Sequence, residues 1–279
     1  MTEVKRSHHQ TKLHNGGLIL DIAACSDIGA VRSENQDAWS IQPMSEHRAG
    51  GVLILADGMG GHADGAVASY LAVTASSERL HSSANPHEAL LEAVRDANNA
   101  IAQRRAEHGG AVSGTTLVAV VITEVRATIA NVGDSRAYLI RDGRAEQVTA
   151  DHSWVAEQVR AGLLEPEAAK GDARRNLLTR ALTGEPVQPD GFHLDLRVGD
   201  VLVLCSDGAW DVIGGEGLAG RFEPGIDLLA AVEQAVDDSI AGGSTDNVTV
   251  MACRVLARPA TPGESTNSFT PGAGQPQTV

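Results

Sequence analysis

Aromatic residues are scarce in this 279-residue chain: three Trp, two Tyr and three Phe amount to 3%. With 42% hydrophobic residues overall, the chain still has enough aliphatic material for a sizeable core, in one large domain or two small ones. Cysteine is also sparse. Cys25, Cys205 and Cys253 are unevenly spaced and lie in apolar segments, which excludes a disulfide framework and points to buried thiols in a reducing cytoplasm. Long apolar runs are missing as well. Stretches such as Leu117 to Ile122 fall far short of the roughly 18 to 20 residues of a membrane helix, and no signal-peptide region opens the chain. Basic residues are outnumbered, 22 Lys and Arg against 36 Asp and Glu, for a formal charge of −14. That balance argues against nucleic-acid binding, which needs a basic footprint, but it leaves room for a small anionic substrate. No internal repeat, no Walker-type loop with Lys and no Gly-x-Ser-x-Gly elbow occurs, which weakens kinase, NTPase and serine-hydrolase readings.

Residues 1–16 are polar, carry His8, His9 and His14, and show no periodicity, so they read as a flexible leader. From Arg258 to Val279 the composition of Pro, Thr, Ser, Gly, Asn and Gln cannot offset the entropy of ordering, and predicts a disordered tail. Residues 17–257 are left as the folded body. Within it, Gly51 to Ala56, Thr115 to Ile122, Ala127 to Val132, Ala137 to Ile140 and Val201 to Cys205 read as buried strands. Asp142-Gly143 reads as a two-residue hairpin turn, and Asp190-Gly191 as a simple turn. Helices are predicted over Ala66 to Leu80, from the Asn85 cap to a stop at Gly109-Gly110, and over Asp227 to Ile240. Strands in runs, with helices between the runs, indicate an α+β layered fold with antiparallel sheets covered by helices.

The informative feature is how the apolar strands end. Gly51 to Ala56 runs into Asp57-Gly58, Ala127 to Val132 into Gly133-Asp134, and Val201 to Cys205 into Ser206-Asp207-Gly208, while Asp246 precedes the strand Val248 to Cys253. A buried strand that delivers a carboxylate to its end, next to a glycine that permits close approach, is a way for a sheet to present metal ligands. Clustered carboxylates repel one another unless protonated or bridged by cations. Oxygen donors without a Cys or His cluster suit hard ions, Mg²⁺ or Mn²⁺, and a pair of these about 3.5–4 Å apart supports in-line phosphoester hydrolysis.

Ser26 to Asp37 (SDIGAVRSENQD), Leu55 to His62 (LADGMGGH), Gly114 to Thr116, Asn131 to Arg136 (NVGDSR), Leu177 to Gly184 (LLTRALTG), Cys205 to Gly208 and Ser244 to Thr249 (STDNVT) resemble, in order, the blocks of bacterial type 2C metal-dependent Ser/Thr protein phosphatases. The resemblance spans nearly all of residues 17–257. It implies a β-sandwich of two antiparallel sheets flanked by α-helices, four layers αββα, with the metal centre in a cleft at one edge. By position, Asp57 would bridge two Mn²⁺ or Mg²⁺ ions, the Gly58 carbonyl would bind one of them, and Asp207 and Asp246 would complete the second. Asp37 would act through coordinated water and Asp134 would bind a third, weaker ion. Arg32 would grip the phosphate, and His62 would protonate the leaving oxygen. Ser135 and Asn247 are expected to support the ligands by hydrogen bonds, and Trp154 and Trp210 to serve in packing.

Residues 151–184 resemble the bacterial flap, a small segment beside the cleft that influences substrate choice. Relatives commonly carry His-Pro where this chain has Lys170 to Ala173 (KGDA), and Arg174-Arg175 follow in what reads equally well as a solvated loop. The activity implied is hydrolysis of phosphoserine and phosphothreonine by a hydroxide bridging two ions. The partners implied are phosphorylated proteins, including targets of a Ser/Thr kinase or the kinase itself, for a cytoplasmic monomer that binds neither nucleic acid nor membrane. Two alternatives are a phosphatase acting on an anti-sigma-factor antagonist, whose kind generally lacks the flap, and a non-catalytic phosphoprotein-binding module, which normally lacks metal aspartates.

Overall fold

The computed structural model describes residues 5–15, 17–44, 50–60, 64–83, 85–108, 113–124 and 126–257. One sheet has the order β1 (Arg6–Asn15), β2 (Leu18–Asp27), β12 (Val248–Ala257), β11 (Val201–Cys205), β8 (Arg136–Arg141) and β9 (Arg144–Gln147). The other runs β10 (Asp190–Asp195), β7 (Arg126–Val132), β6 (Leu117–Thr123), β4 (Gly50–Met59) and β3 (Asp37–Pro43), with the short β5 (Gly114–Thr115) also paired to β4. Every pairing is antiparallel.

The strand period of two explains the layering. On β4, Leu53 and Leu55 enter a central core with Leu20 and Ile22 of β2 and Leu202 and Leu204 of β11, which is the interface between the sheets. The alternate residues Val52 and Ile54 face outward under α1 (Asp64–Ser82) and α2 (Pro86–His108), meeting Ala72, Leu80, Leu90 and Val94. On the first sheet, Val201 and Val203 likewise meet Leu228, Val232 and Val236 of α6 (Leu228–Ala241). Both sheets are therefore buried on two faces, which is why their strands read as continuous apolar runs. Truncating the fully buried Leu53 to Ala would cost about 2–5 kcal/mol. The αββα arrangement is the expected one, and the core is aliphatic, as the shortage of aromatics requires.

Several boundaries follow the expectation closely. The β8–β9 hairpin turns at Asp142 (φ 52°) and Gly143 (φ 72°), the left-handed pair a two-residue turn needs. Asp227 caps α6 by accepting from the Ala230 N–H. The three cysteines are buried and free. The Gly109-Gly110 stop and the tail 258–279 lie outside the described residues.

Other expectations need correction. Residues 6–15, assigned to a flexible leader, form β1 and pair with β2 over their full length. This is an edge strand whose partners are polar: Arg6 Nε donates to Asp27 at 2.7 Å and Gln10 Nε2 to Asp21 at 3.0 Å, while only Leu13 packs toward the central core. Such a strand carries no hydrophobic alternation to read. Asp190-Gly191 opens edge strand β10, and is not a simple turn. Asp207, at the expected strand end, is also the first residue of α5 (Asp207–Ala219), kinked at Gly214, a helix the sequence reading does not include. The flap segment contains α3 (Trp154–Arg160), capped by Ser153, and α4 (Pro166–Lys170).

Candidate metal centre

The strand ends converge on one edge of the sandwich. Arg32, Asp57, Gly58, Asp134, Asp207 and Asp246 all line a single cleft of about 870 Å³, closed on one side by residues 176–181 of the flap segment. Asp37 lies behind this floor, directly opposite Asp57 in the β3–β4 register. His62 lies outside the described residues.

Several of these residues are positioned by neighbours that a linear reading does not reveal. Thr116, at the break between β5 and β6, accepts from the Asp57 N–H at 2.9 Å and donates its own N–H to the Asp57 carbonyl. Its hydroxyl also meets Ser135 Oγ at 2.7 Å. Asp37 Oδ2 accepts from Ser206 Oγ at 2.8 Å and Thr249 Oγ1 at 2.6 Å, binding the two sheets together beneath the site. Asn247 donates Nδ2 to the carbonyls of Ile28 and Glu34 and accepts at Oδ1 from the Gln36 N–H, all at 2.9 Å. It thereby fixes the loop that carries Arg32. The glycines after the aspartates do permit close approach, but by the chain itself. A Cβ on Gly58 would meet the Gly65 carbonyl at 2.2 Å, and one on Gly208 the Asn247 carbonyl at 2.1 Å.

The Asp134 turn has two supports. Trp210 Nε1 donates to the Asp134 carbonyl at 3.0 Å, and the Arg136 guanidinium, held by Asp151, stacks 3.4 Å from the Trp210 ring centre. Trp210 thus does more than pack. On the other side, the Gly133 N–H donates to Nδ1 of the fully buried His152 at 3.1 Å. That bond fixes the proton on Nε2, which faces Asp190 Oδ2 at 3.2 Å, and Asp190 also takes Arg180 at 2.7 Å. Burial lowers the His152 pKa, against the pull of Asp190. In the flap, Arg174 stacks on Trp154 at 3.5 Å and pairs with Asp172, while Arg175 pairs with Asp211 of α5 at 2.8 Å. These arginines are engaged, and Arg175 ties the flap to the scaffold.

Electrostatically the cleft is strained toward cations. Burial, then the charges of Asp37, Asp207, Asp134 and Asp246, pushes the Asp57 pKa well above the carboxylate range. Asp207 is raised likewise, by burial and then by Asp134, Asp246 and Asp37. Burial lifts Asp37 to about 6 against its hydrogen bonds from Thr249 and Ser206, and lifts Asp134 to about 7, with Asp151 adding to it. Asp37 Oδ1 and Asp207 Oδ1 are buried with no hydrogen-bond partner among the described residues. Orphaned carboxylate oxygens facing a set of like charges fit hard divalent cations. Among the described residues no three His, Cys, Asp or Glu side chains meet closely enough to chelate one ion alone. The donors are spread along the cleft floor, which suits ions that keep much of their water, as Mg²⁺ does.

Two antiparallel sheets packed face to face, with carboxylates converging at one edge, define a sandwich-type scaffold for hard cations. The chain belongs to the protein phosphatase 2C family, whose model, described as Protein phosphatase 2C, matches residues 30–241. It is similar to the serine/threonine protein phosphatase PstP of Mycobacterium tuberculosis, 37% identical over 243 residues, covering 86% of this chain and 46% of that one. The chain thus spans about half the length of that relative. It is also similar to the protein phosphatase PhpP of Streptococcus pneumoniae, 34% identical over 83% of this chain and 96% of the other. Among solved structures, the catalytic domain of PstP in complex with two manganese ions superposes with a TM-score of 0.75 at 36% identity, covering 86% of this chain and 99% of that one.

Proposed function

We propose that this protein is a metal-dependent protein serine/threonine phosphatase that hydrolyses phosphoserine and phosphothreonine monoesters with two Mn²⁺ or Mg²⁺ ions. The observation that carries the reading is the convergence of Arg32, Asp57, Gly58, Asp134, Asp207 and Asp246 on one cleft in a chain of this family. Bound ions supply Lewis-acid activation of water and neutralisation of the phosphoryl oxygens. Asp57, the Gly58 carbonyl, Asp207 and Asp246 would hold the two ions. Asp37, behind the floor, would act through water coordinated to them, and Asp134 would hold a third, weaker ion. Arg32 places its planar fork on the phosphate, and charge-assisted hydrogen bonds fix the phosphorus for in-line attack. His62 delivers the proton to the departing Ser or Thr oxygen.

The substrates are phosphorylated proteins, including targets of a Ser/Thr kinase or the kinase itself, and the working form is a cytoplasmic monomer whose catalytic domain takes in strand β1 and runs to residue 257, with 258–279 as a tail. Among the described residues, no helix is long and apolar enough to cross a membrane. The flap segment, which contains α3 and α4 and lines the cleft through Asn176 to Ala181, supports this reading over the anti-sigma-factor-antagonist phosphatase. Metal titration calorimetry separates it from a non-catalytic module. At least two ions should bind, and Asp57→Asn should lose that binding; a chain that binds none contradicts the proposal.

A further inference from the structure

A second cleft, of about 380 Å³, lies between the edge strand β3 and helix α1, and Trp39, Ser40, Gln42, Ser77, Glu78 and His81 are among the residues that line it. It shares no lining residue with the metal cleft. Two of its side chains carry a buried polar atom without a hydrogen-bond partner among the described residues, Gln42 Oε1 and Ser77 Oγ. Ser77 is 7% exposed. A buried acceptor left unpaired costs free energy of the order of a lost hydrogen bond, about 1–3 kcal/mol. Two such atoms from different elements on one cleft mark a place where a ligand completes the bonding.

We infer that this cleft binds a guanidinium group. The amide oxygen of Gln42 is an acceptor that needs a donor, and the Glu78 carboxylate supplies an anionic acceptor at the exposed side of the same cleft. A planar guanidinium presents donors on several edges and reaches both, while Ser77 Oγ accepts a third. The formal charge of −14 raises the local concentration of any cation. The volume matches the lower end of small-ligand sites, about 300 Å³ and upward, and takes the group with a short alkyl stem. Two sources share this chemistry. A free alkylguanidine fits the cleft alone, and an arginine of a protein segment reaches it if that segment runs beside the edge strand β3.

The test is a titration of the metal-loaded full chain, followed through the Ser77 backbone N–H and the Gln42 side-chain amide by two-dimensional NMR. One arm uses agmatine, the other a short arginine-containing peptide of β-forming sequence, both at constant ionic strength with sodium chloride as control. Saturable shifts of those two signals are expected, weakened about fivefold or more by Glu78→Gln. Glu78 is exposed, so that variant keeps the fold, and Ser77→Ala should weaken binding independently. Tighter binding of the peptide assigns the source to a protein segment, and equal binding assigns it to a free guanidine. Absence of saturation with both probes, shifts reproduced by sodium chloride, or an unchanged affinity in Glu78→Gln would overturn the inference.

Discussion

Arg32 and Asp246, 214 positions apart in the chain, meet as an ion pair with Nη2 2.5 Å from Oδ2. The residue proposed to grip phosphate therefore rests on a residue proposed to hold metal, and its remaining donors are available to a substrate. Replacing the fork by a point charge in Arg32→Lys should raise KM for a phosphopeptide about tenfold while metal affinity stays within twofold. Steady-state kinetics with parallel metal titration checks this. An unchanged KM would remove Arg32 from the phosphate site.

Asn247 makes the bonds that hold residues 28–36 against the β12 end of the site. In Asn247→Ala the Gln36 N–H and the Ile28 and Glu34 carbonyls lose their partner, so urea unfolding should show a loss of about 2–4 kcal/mol. Metal affinity should fall with it, since the same loop leads into Asp37.

The raised carboxylate pKa values set a pH dependence for the ion-free protein. Asp37 and Asp134 titrate near 6 and 7 in the folded chain, against about 3.8 for an ordinary Asp. Their neutral forms favour the fold, so that contribution is complete below about pH 4 and is lost as pH rises through 6 to 7. Chelator-treated protein should show a Tm that falls across this window, and Mn²⁺ should restore it more strongly at pH 7.5 than at pH 5.5. A metal-induced Tm gain independent of pH would contradict a carboxylate-built site.

His152 supports the Asp134 turn through the Gly133 N–H. His152→Phe would bury that donor unpaired and should destabilise by about 1–3 kcal/mol, with weaker occupancy of the ion proposed at Asp134. His152→Asn retains an acceptor and should recover part of both. Thermal melts at graded Mn²⁺ concentrations report the two effects separately.

Much of the proposed metal edge was legible because strand and carboxylate are near one another in the chain: Val201 to Cys205 occupies β11 with the predicted bounds, and Asp207 follows after Ser206. The four layers were legible because runs such as Gly51 to Ala56 are apolar on both faces. What escaped was polar or distant. Strand β1 is stabilised by pairing across to Asp21 and Asp27, which leaves no periodic trace. Asp190 looked like any Asp-Gly turn because its partners, His152 and Arg180, are 38 and 10 positions away, and only the fold brings them together. Helix α5 is interrupted at Gly214, and its glycines mask the helical pattern. The neighbouring Asp151-His152-Ser153 run was visible, but nothing local says that its histidine points at Gly133.

The central claim is that the convergent aspartates make a metal-dependent phosphomonoesterase. It is tested most directly by release of inorganic phosphate from a phosphothreonine peptide by chelator-treated protein, with and without added Mn²⁺ or Mg²⁺, beside Asp207→Ala. The account predicts release only with the ion, reduced at least about 100-fold in the variant. Release without divalent ions, or full activity of Asp207→Ala, would contradict it.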